Sequence, residues 1–224
     1  MTKNIKILLN EIVKILTQLT KTPTYINKIY YINLEHRIDR KEHIENQIKK
    51  YIDPELSITK RFNAIANKNG HIGCSKSHLG IIEECIQNNY NNVLIFEDDF
   101  EFIIDSSDFK DYLDKFFTKY TNYDMLLLGV NGPSFTNQRD FFKVTNSQTT
   151  SGYIINNRVF KQFRDICKES INGLEQKKSY NIYCIDQLWK KIQRNGNVYT
   201  FPKRVGRQRV DYSDICKKRV DYKV

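Results

Sequence analysis

The chain has 224 residues, 40% of them apolar and 12% aromatic, enough for one substantial core and too few for two full domains. A net charge of +10 attracts nucleic acid, an anionic membrane surface or a phosphorylated small molecule alike, so charge alone selects no partner. Five widely spread cysteines, Cys74, Cys85, Cys167, Cys184 and Cys216, form no CxxC pair, which argues against a zinc ribbon or disulfide framework and for a reducing compartment.

The N-terminal "IKILLNEIVKILTQL" places Ile5, Leu8, Ile12, Ile15 and Leu19 at helical spacing. Its interior Glu11 and Lys14 argue against a secretory signal, and no stretch is long and apolar enough to span a bilayer. Such a stripe packs on its own domain or on a second copy, which would make a homodimer through this helix. A soluble, cytoplasmic chain is expected. Residues 1–24 are read as this helix and a linker broken at Pro23, residues 25–202 as the main domain, and residues 203–224 as a basic tail that can serve as a lid.

Within the main domain "KIYYIN" reads as a buried strand, followed by a helix in "HRIDRKEHIENQIKKY" that Asp39 can cap. "SITKRFNA" is a second strand candidate and Ile65 to Gly73 a glycine-punctuated loop. A helix is predicted over about Ser75 to Gln87 and a strand over "NVLIFED". "SDFKDYLDKFFTKY" is helical, "DMLLLG" a short strand, and Asn131 to Asn137 a loop. "FFKVT" and "TTSGYIIN" are extended, "RVFKQFRDIC" and "IDQLWKKIQ" helical, and "NVYTFP" a last strand. Alternating strands and amphipathic helices predict an α/β sandwich with a mostly parallel sheet, whose ligand sits beyond the carboxyl ends of the strands.

The strand in "VLIFEDDFEF" ends on three adjacent acids, Glu97, Asp98 and Asp99. Their mutual repulsion is relieved by a divalent cation, and oxygen ligands suit Mg²⁺ or Mn²⁺ rather than zinc. Strand alternation would turn Glu97 and Asp99 to one side and Asp98 to the other. A solvated acidic turn is the plain alternative.

The segments "YINLEHRIDRKEHI", "GCSKSHLGIIEECIQNNYNNVLIFEDDFEF", "SGYIIN" and "IDQLW" together resemble glycosyltransferase family 25, which includes lipooligosaccharide and procollagen galactosyltransferases. The resemblance implies a GT-A-type, Rossmann-like single domain that uses a nucleotide sugar. It further implies that Glu97, Asp98 and Asp99 hold the metal and the sugar nucleotide, with Glu97 and Asp99 the metal-side pair and Asp214 a late metal or substrate contact. By the same likeness Asn33, Leu34, Arg37 and Arg40 lie on the first nucleotide-side loop, where two arginines can pair with a diphosphate. An exposed helix face, paired with Glu35 or Glu45, is the competing account of both arginines.

Ser77 and His78 match a family block, while a satisfied, half-buried histidine is the simpler account of His78. Ser151, Gly152 and Tyr153 match a segment found near the donor sugar. Asp186, an acid in the apolar helix start "YCIDQLW", is either the base that deprotonates an acceptor hydroxyl or a helix N-cap. The expected function is a metal-dependent, inverting transfer of a hexose, galactose or glucose, from a UDP-sugar to a hydroxyl on a glycan or protein, with Mn²⁺ or Mg²⁺. The contrasting possibility is a catalytically silent binding module whose basic tail engages nucleic acid or membrane; the ordered family segments argue against it.

Overall fold

Strands here are buried on both faces and helices on one, so alternate residues of a single strand enter two different cores. The computed structural model describes residue 8, residues 25–136 and residues 140–222. Apart from Leu8, the N-terminal apolar stripe and the homodimer expected through it fall outside the described residues. In chain order the first half comprises β1 (Lys28–Asn33), α1 (Ile38–Tyr51), β2 (Thr59–Asn63), α2 (Gly70–Gln87), β3 (Asn92–Glu97), β4 (Phe100–Phe102) and α3 (Ser106–Lys119). Then come β5 (Met125–Leu127), β6 (Asn131–Thr136), β7 (Phe142–Gln148), β8 (Gly152–Asn156) and α4 (Phe160–Glu175). The short helices α5 (Tyr180–Tyr183), α6 (Ile185–Leu188) and α7 (Lys190–Asn195) precede β9 (Val198–Thr200), β10 (Gly206–Gln208), β11 (Asp211–Ser213) and β12 (Lys218–Val220).

The central sheet runs β2-β1-β3-β8-β5-β9-β7-β6. From the pairings, β8 and β7 run against the other strands, which share one direction. The carboxyl ends of β1 and β3 therefore meet the amino end of β8 at one end of the sheet's strands, where Phe96 pairs with Gly152 and the Glu97 amide donates to the Ser151 carbonyl.

On one face Tyr31, Leu94, Phe96, Leu126 and Ile154 pack with Ile44 and Ile48 of α1 and Phe109, Leu113 and Phe116 of α3. On the other, Tyr30, Ile95, Leu127, Tyr153 and Ile155 pack with Ile82 of α2, Phe163 of α4, Leu188 of α6 and Trp189. Helix α2 meets α4 closely, with Ser75 Oγ and Ser170 Oγ 2.8 Å apart in the buried interface. Trp189 is fully buried and its Nε1 donates to the Ser147 carbonyl at 3.0 Å, so the indole fills the core without an unpaired donor.

Several boundaries differ from expectation. Helix α2 starts at Gly70, because Asn69 Oδ1 accepts from the His71 amide and caps it; the expected loop is thus shortened. Asp39 is not the cap of α1, which is Arg37; it lies in the first turn. The expected loop from Asn131 is strand β6 on the sheet's edge, where a proline removes no interior ladder bond. "IDQLWKKIQ" is broken into α6 and α7. The residues expected to form a tail supply β10, which pairs with β4, and the β11–β12 hairpin.

Candidate active site

The apolar run of β3 ends at Glu97, and Asp98 and Asp99 form a turn before β4. Strand alternation therefore stops at Glu97, which corrects the expected split of the three side chains. Asp98 and Asp99 both meet Arg40, whose Nη1 lies 2.9 Å from Asp98 Oδ1 and 3.4 Å from Asp99 Oδ2. Glu97 turns elsewhere: it accepts from Thr150 Oγ1 at 2.6 Å and stands 3.5 Å from His78 Nε2.

Packing behind the turn holds it in place. Phe100 is completely buried, and its ring lies so close to two glycines that an added Cβ would come within 2.8 Å at Gly152 and 2.1 Å at Gly206. Gly152, expected near a donor sugar, thus serves close packing behind the acidic turn. The Arg209 amide donates to the Asp99 carbonyl at 2.8 Å, and His43 Nε2 contacts the Phe100 carbonyl at 2.9 Å.

A cleft of about 310 Å³ opens over the acids. Of the expected site residues, Leu34, Arg40, Ser77, His78, Glu97, Asp98, Asp99 and Asp214 line it. Ile215, Lys217 and Tyr222 of the C-terminal segment complete its wall. Asn33, Arg37, Ser151, Tyr153 and Asp186 stand behind this lining and act on it through others. Asn33 Nδ2 donates to Asp98 Oδ2 at 2.8 Å, and Tyr153 Oη holds His78 Nδ1 at 2.8 Å. Ser77 Oγ bonds the Gly73 carbonyl and the Ile65 amide, bracing α2 against the loop that precedes it.

Both arginines are engaged by acids other than those expected. Arg40 Nε reaches Asp211 Oδ2 at 3.1 Å and its Nη2 the Tyr212 carbonyl at 2.7 Å. Arg37 pairs with Asp214 at 2.6 Å, with Asp211 at 3.3 Å and with Asp39. Neither Glu35 nor Glu45 is their partner, and the exposed-face account of Arg37 and Arg40 is set aside for that reason. The C-terminal hairpin is thereby tied to α1, and Arg207 pairs with Glu101 and Arg209 with Asp211. Lys203, Arg207 and Arg209 of the basic segment thus pair with acids of the same chain.

Electrostatics single out Asp99. Burial, then the nearby Glu97 charge, push its carboxyl up to about 7 against the pull of Arg40. Burial also raises Asp98, opposed by Arg40 and Asn33. Glu97 goes the other way: burial favours its neutral form, but His78 and the Thr150 hydroxyl outweigh burial and hold it below the ordinary range. Asp99 is thus the acid on which a cation's charge would act most.

Asp186 lies in the first turn of α6, whose N-cap is Cys184; the helix-cap alternative is therefore not what the fold uses. Burial raises its proton affinity, the Thr149 amide opposes this, and Glu97 adds to it. Thr149 has φ +70, in the left-handed region that a β-branched residue rarely enters. Its Oγ1 donates to Gln208 Oε1 at 2.8 Å, and Gln208 Nε2 faces both oxygens of Asp99 at 3.4 Å. A polar relay of Asp186, Thr149, Gln208 and Asp99 results. Thr149, Thr150, Gln208 and Asp211 were not anticipated as site residues; only their places beside "SGYIIN" and in the C-terminal segment hinted at them. Cys74, in the segment that opens with "GCSKSHL", also lines the cleft.

A family model described as "Glycosyltransferase family 25 (LPS biosynthesis protein)" matches residues 60–142. That span runs from β2 to the start of β7 and includes the acidic turn. No protein of curated function matches the sequence. Among solved structures, a glycosyltransferase involved in the glycosylation of the major capsid of PBCV-1 is 9% identical, with TM-score 0.50, over 77% of this chain and 80% of that one. Mannose-1-phosphate geranyltransferase from Thermus thermophilus gives 7% identity and TM-score 0.47, over 81% of this chain and 75% of that one. A197 from STIV gives 11% and 0.42, over 86% and 92%. The fold is similar to that of the capsid glycosyltransferase, and residues 60–142 match the glycosyltransferase family 25 model, which together support a transferase.

Proposed function

We propose that the chain is a metal-dependent, inverting hexosyltransferase that uses a UDP-sugar, with UDP-galactose and UDP-glucose the first donors to try. The observation that carries this reading is the cleft at the end of β3, where Asp99 is buried beside a second carboxylate and pushed up to about 7. A site that strains to keep its acids ionised fits a divalent cation of the Mn²⁺ or Mg²⁺ class, held by Glu97, Asp99 and Asp214. When bound, that cation would neutralise charge building on the departing diphosphate.

The chain's own residues then divide the remaining work. Asp98, fixed by Asn33 and Arg40, orients the nucleotide side. Arg37 and Arg40 offer planar forks suited to a diphosphate, and they exchange their present Asp211 and Asp214 partners for it, which frees Asp214 for the cation while the segment 203–224 serves as a lid over the donor. Asp186, whose proton affinity burial raises, takes the proton of the acceptor hydroxyl. The acceptor oxygen forms the new bond to the sugar's anomeric carbon, the bond to the diphosphate breaks, and the electron pair leaves with UDP. The acceptor is a hydroxyl on a glycan or protein. All the cysteines among the described residues are free, which fits a reducing, cytoplasmic setting; no helix of the described residues is long and apolar enough to cross a membrane.

A thermal-shift screen of nucleotide sugars with and without MnCl₂ tests the reading, because a ligand that binds the native state raises its melting temperature. A rise with a UDP-hexose that requires Mn²⁺ supports it. No metal-dependent shift with any nucleotide sugar would overturn it.

A further inference from the structure

Helix α2 carries Cys74 and His78 four residues apart, hence on one face. That face looks onto Glu97 at the end of β3. Among the described residues, the donor atoms of Cys74, His78 and Glu97 lie within 4.8 Å of one another. We propose that these three side chains form a binding site for a thiolate-preferring divalent metal ion of the Zn²⁺ class, on the wall of the cleft and sharing Glu97 with the all-oxygen set proposed around Asp99.

Four observations carry the assignment. His78 is fully buried, yet its Nε2 makes no well-formed hydrogen bond, facing Glu97 at a distance too long for one, and a buried nitrogen so placed is costly without a ligand. Its other nitrogen is fixed by Tyr153 Oη at 2.8 Å, the outer contact that orients a metal-binding imidazole. The carboxylate of Glu97 is likewise anchored, by Thr150 Oγ1 at 2.6 Å. Finally, His78 Nε2 and Glu97 Oε1 stand 3.5 Å apart. That is long for a charge-assisted hydrogen bond, but close to the roughly 3.3 Å that separates two ligands each about 2.0 Å from a tetrahedral ion.

The chemistry of the set is selective. A sulfur, an imidazole and one carboxylate favour zinc-class ions over Mg²⁺ or Mn²⁺, and three protein ligands leave the fourth position open to the cleft. Binding releases the Cys74 thiol proton to solvent and leaves a thiolate on the metal, with no change of oxidation state. This assignment does not depend on sugar transfer, although Glu97 is common to both sites.

Titration of the metal-stripped full chain with Co²⁺ under reducing, anaerobic conditions provides the test. A cobalt–thiolate charge-transfer band should grow to saturation at one ion per chain and be displaced by one equivalent of Zn²⁺. Cys74→Ser should abolish the band and His78→Gln should weaken cobalt binding at least tenfold, while Cys216→Ser should leave it intact. If Cys74→Ser fails to fold, as judged by circular dichroism, His78→Gln decides alone. Absence of the band in the wild-type chain, or its survival in a folded Cys74→Ser or unchanged binding in His78→Gln, would overturn the proposal. The Mn²⁺-dependent donor shift is read separately, so the two readings can fail independently.

Discussion

Arg40 Nη1 lies between two carboxylates, 2.9 Å from Asp98 Oδ1 and 3.4 Å from Asp99 Oδ2, and all three side chains are buried. A strand that ends on adjacent acids is tolerated because one guanidinium, delivered by α1, offsets their repulsion. Removing it leaves buried charge uncompensated, which costs about 3–5 kcal/mol. Arg40→Ala should therefore lower stability by about that amount in urea unfolding. Arg40→Lys should recover only part of it, since an ammonium cannot reach Asp98, Asp211 and the Tyr212 carbonyl together. Full stability in Arg40→Ala would refute the role.

The pH dependence of stability follows from Asp99. Its carboxyl is pushed up to about 7, by burial first and then by Glu97, so the folded chain holds this proton more tightly than the unfolded one. That contribution is complete below about pH 4 and is lost as pH rises through about 7. Melting of the metal-stripped chain should thus shift downward between about pH 4 and pH 7 relative to Asp99→Asn. His43 and His71, lowered chiefly by burial, change in the opposite sense at lower pH, and the paired comparison cancels them. A wild-type profile parallel to the variant's would contradict the assignment.

Close packing behind the acids is as testable as the acids themselves. A Cβ at Gly206 would fall 2.1 Å from Phe100 Cζ, and Phe100 directly follows Asp99. Gly206→Ala should cost about 1–3 kcal/mol through overpacking and should also weaken Mn²⁺ binding by displacing the turn. A loss of stability with metal affinity untouched would show that Phe100 does not position the acids.

Asp186 separates proton transfer from donor binding. Asp186→Asn should keep the Mn²⁺-dependent donor shift and lose transfer by at least about 100-fold, the lower range for removing a general base. Loss of donor binding in this variant would instead assign Asp186 to the donor site.

The α/β order and the acidic strand end were legible in sequence because burial on both faces leaves continuous apolar runs such as "VLIFE", and those runs end where the site lies. Partners distant along the chain were not. Arg40 pairs with Asp211 across 171 residues, and no local pattern announces that the C-terminal segment folds back onto α1. Its basic composition predicts a tail, whereas Arg207 and Arg209 pair with Glu101 and Asp211. The position of Thr149 was equally hidden: a left-handed threonine is a consequence of tertiary contacts, not of propensity. Side-chain direction at Asp98 and Asp99 was misjudged because period-two alternation holds only while the strand lasts.

Isothermal titration of UDP-galactose and UDP-glucose into the wild-type chain and Asp99→Ala, each with Mn²⁺ and with chelator, tests the central claim most directly. The account predicts binding of a UDP-hexose to wild type that requires Mn²⁺ and is lost in a folded Asp99→Ala. Donor binding that persists with chelator, or that is unchanged in Asp99→Ala, would contradict it.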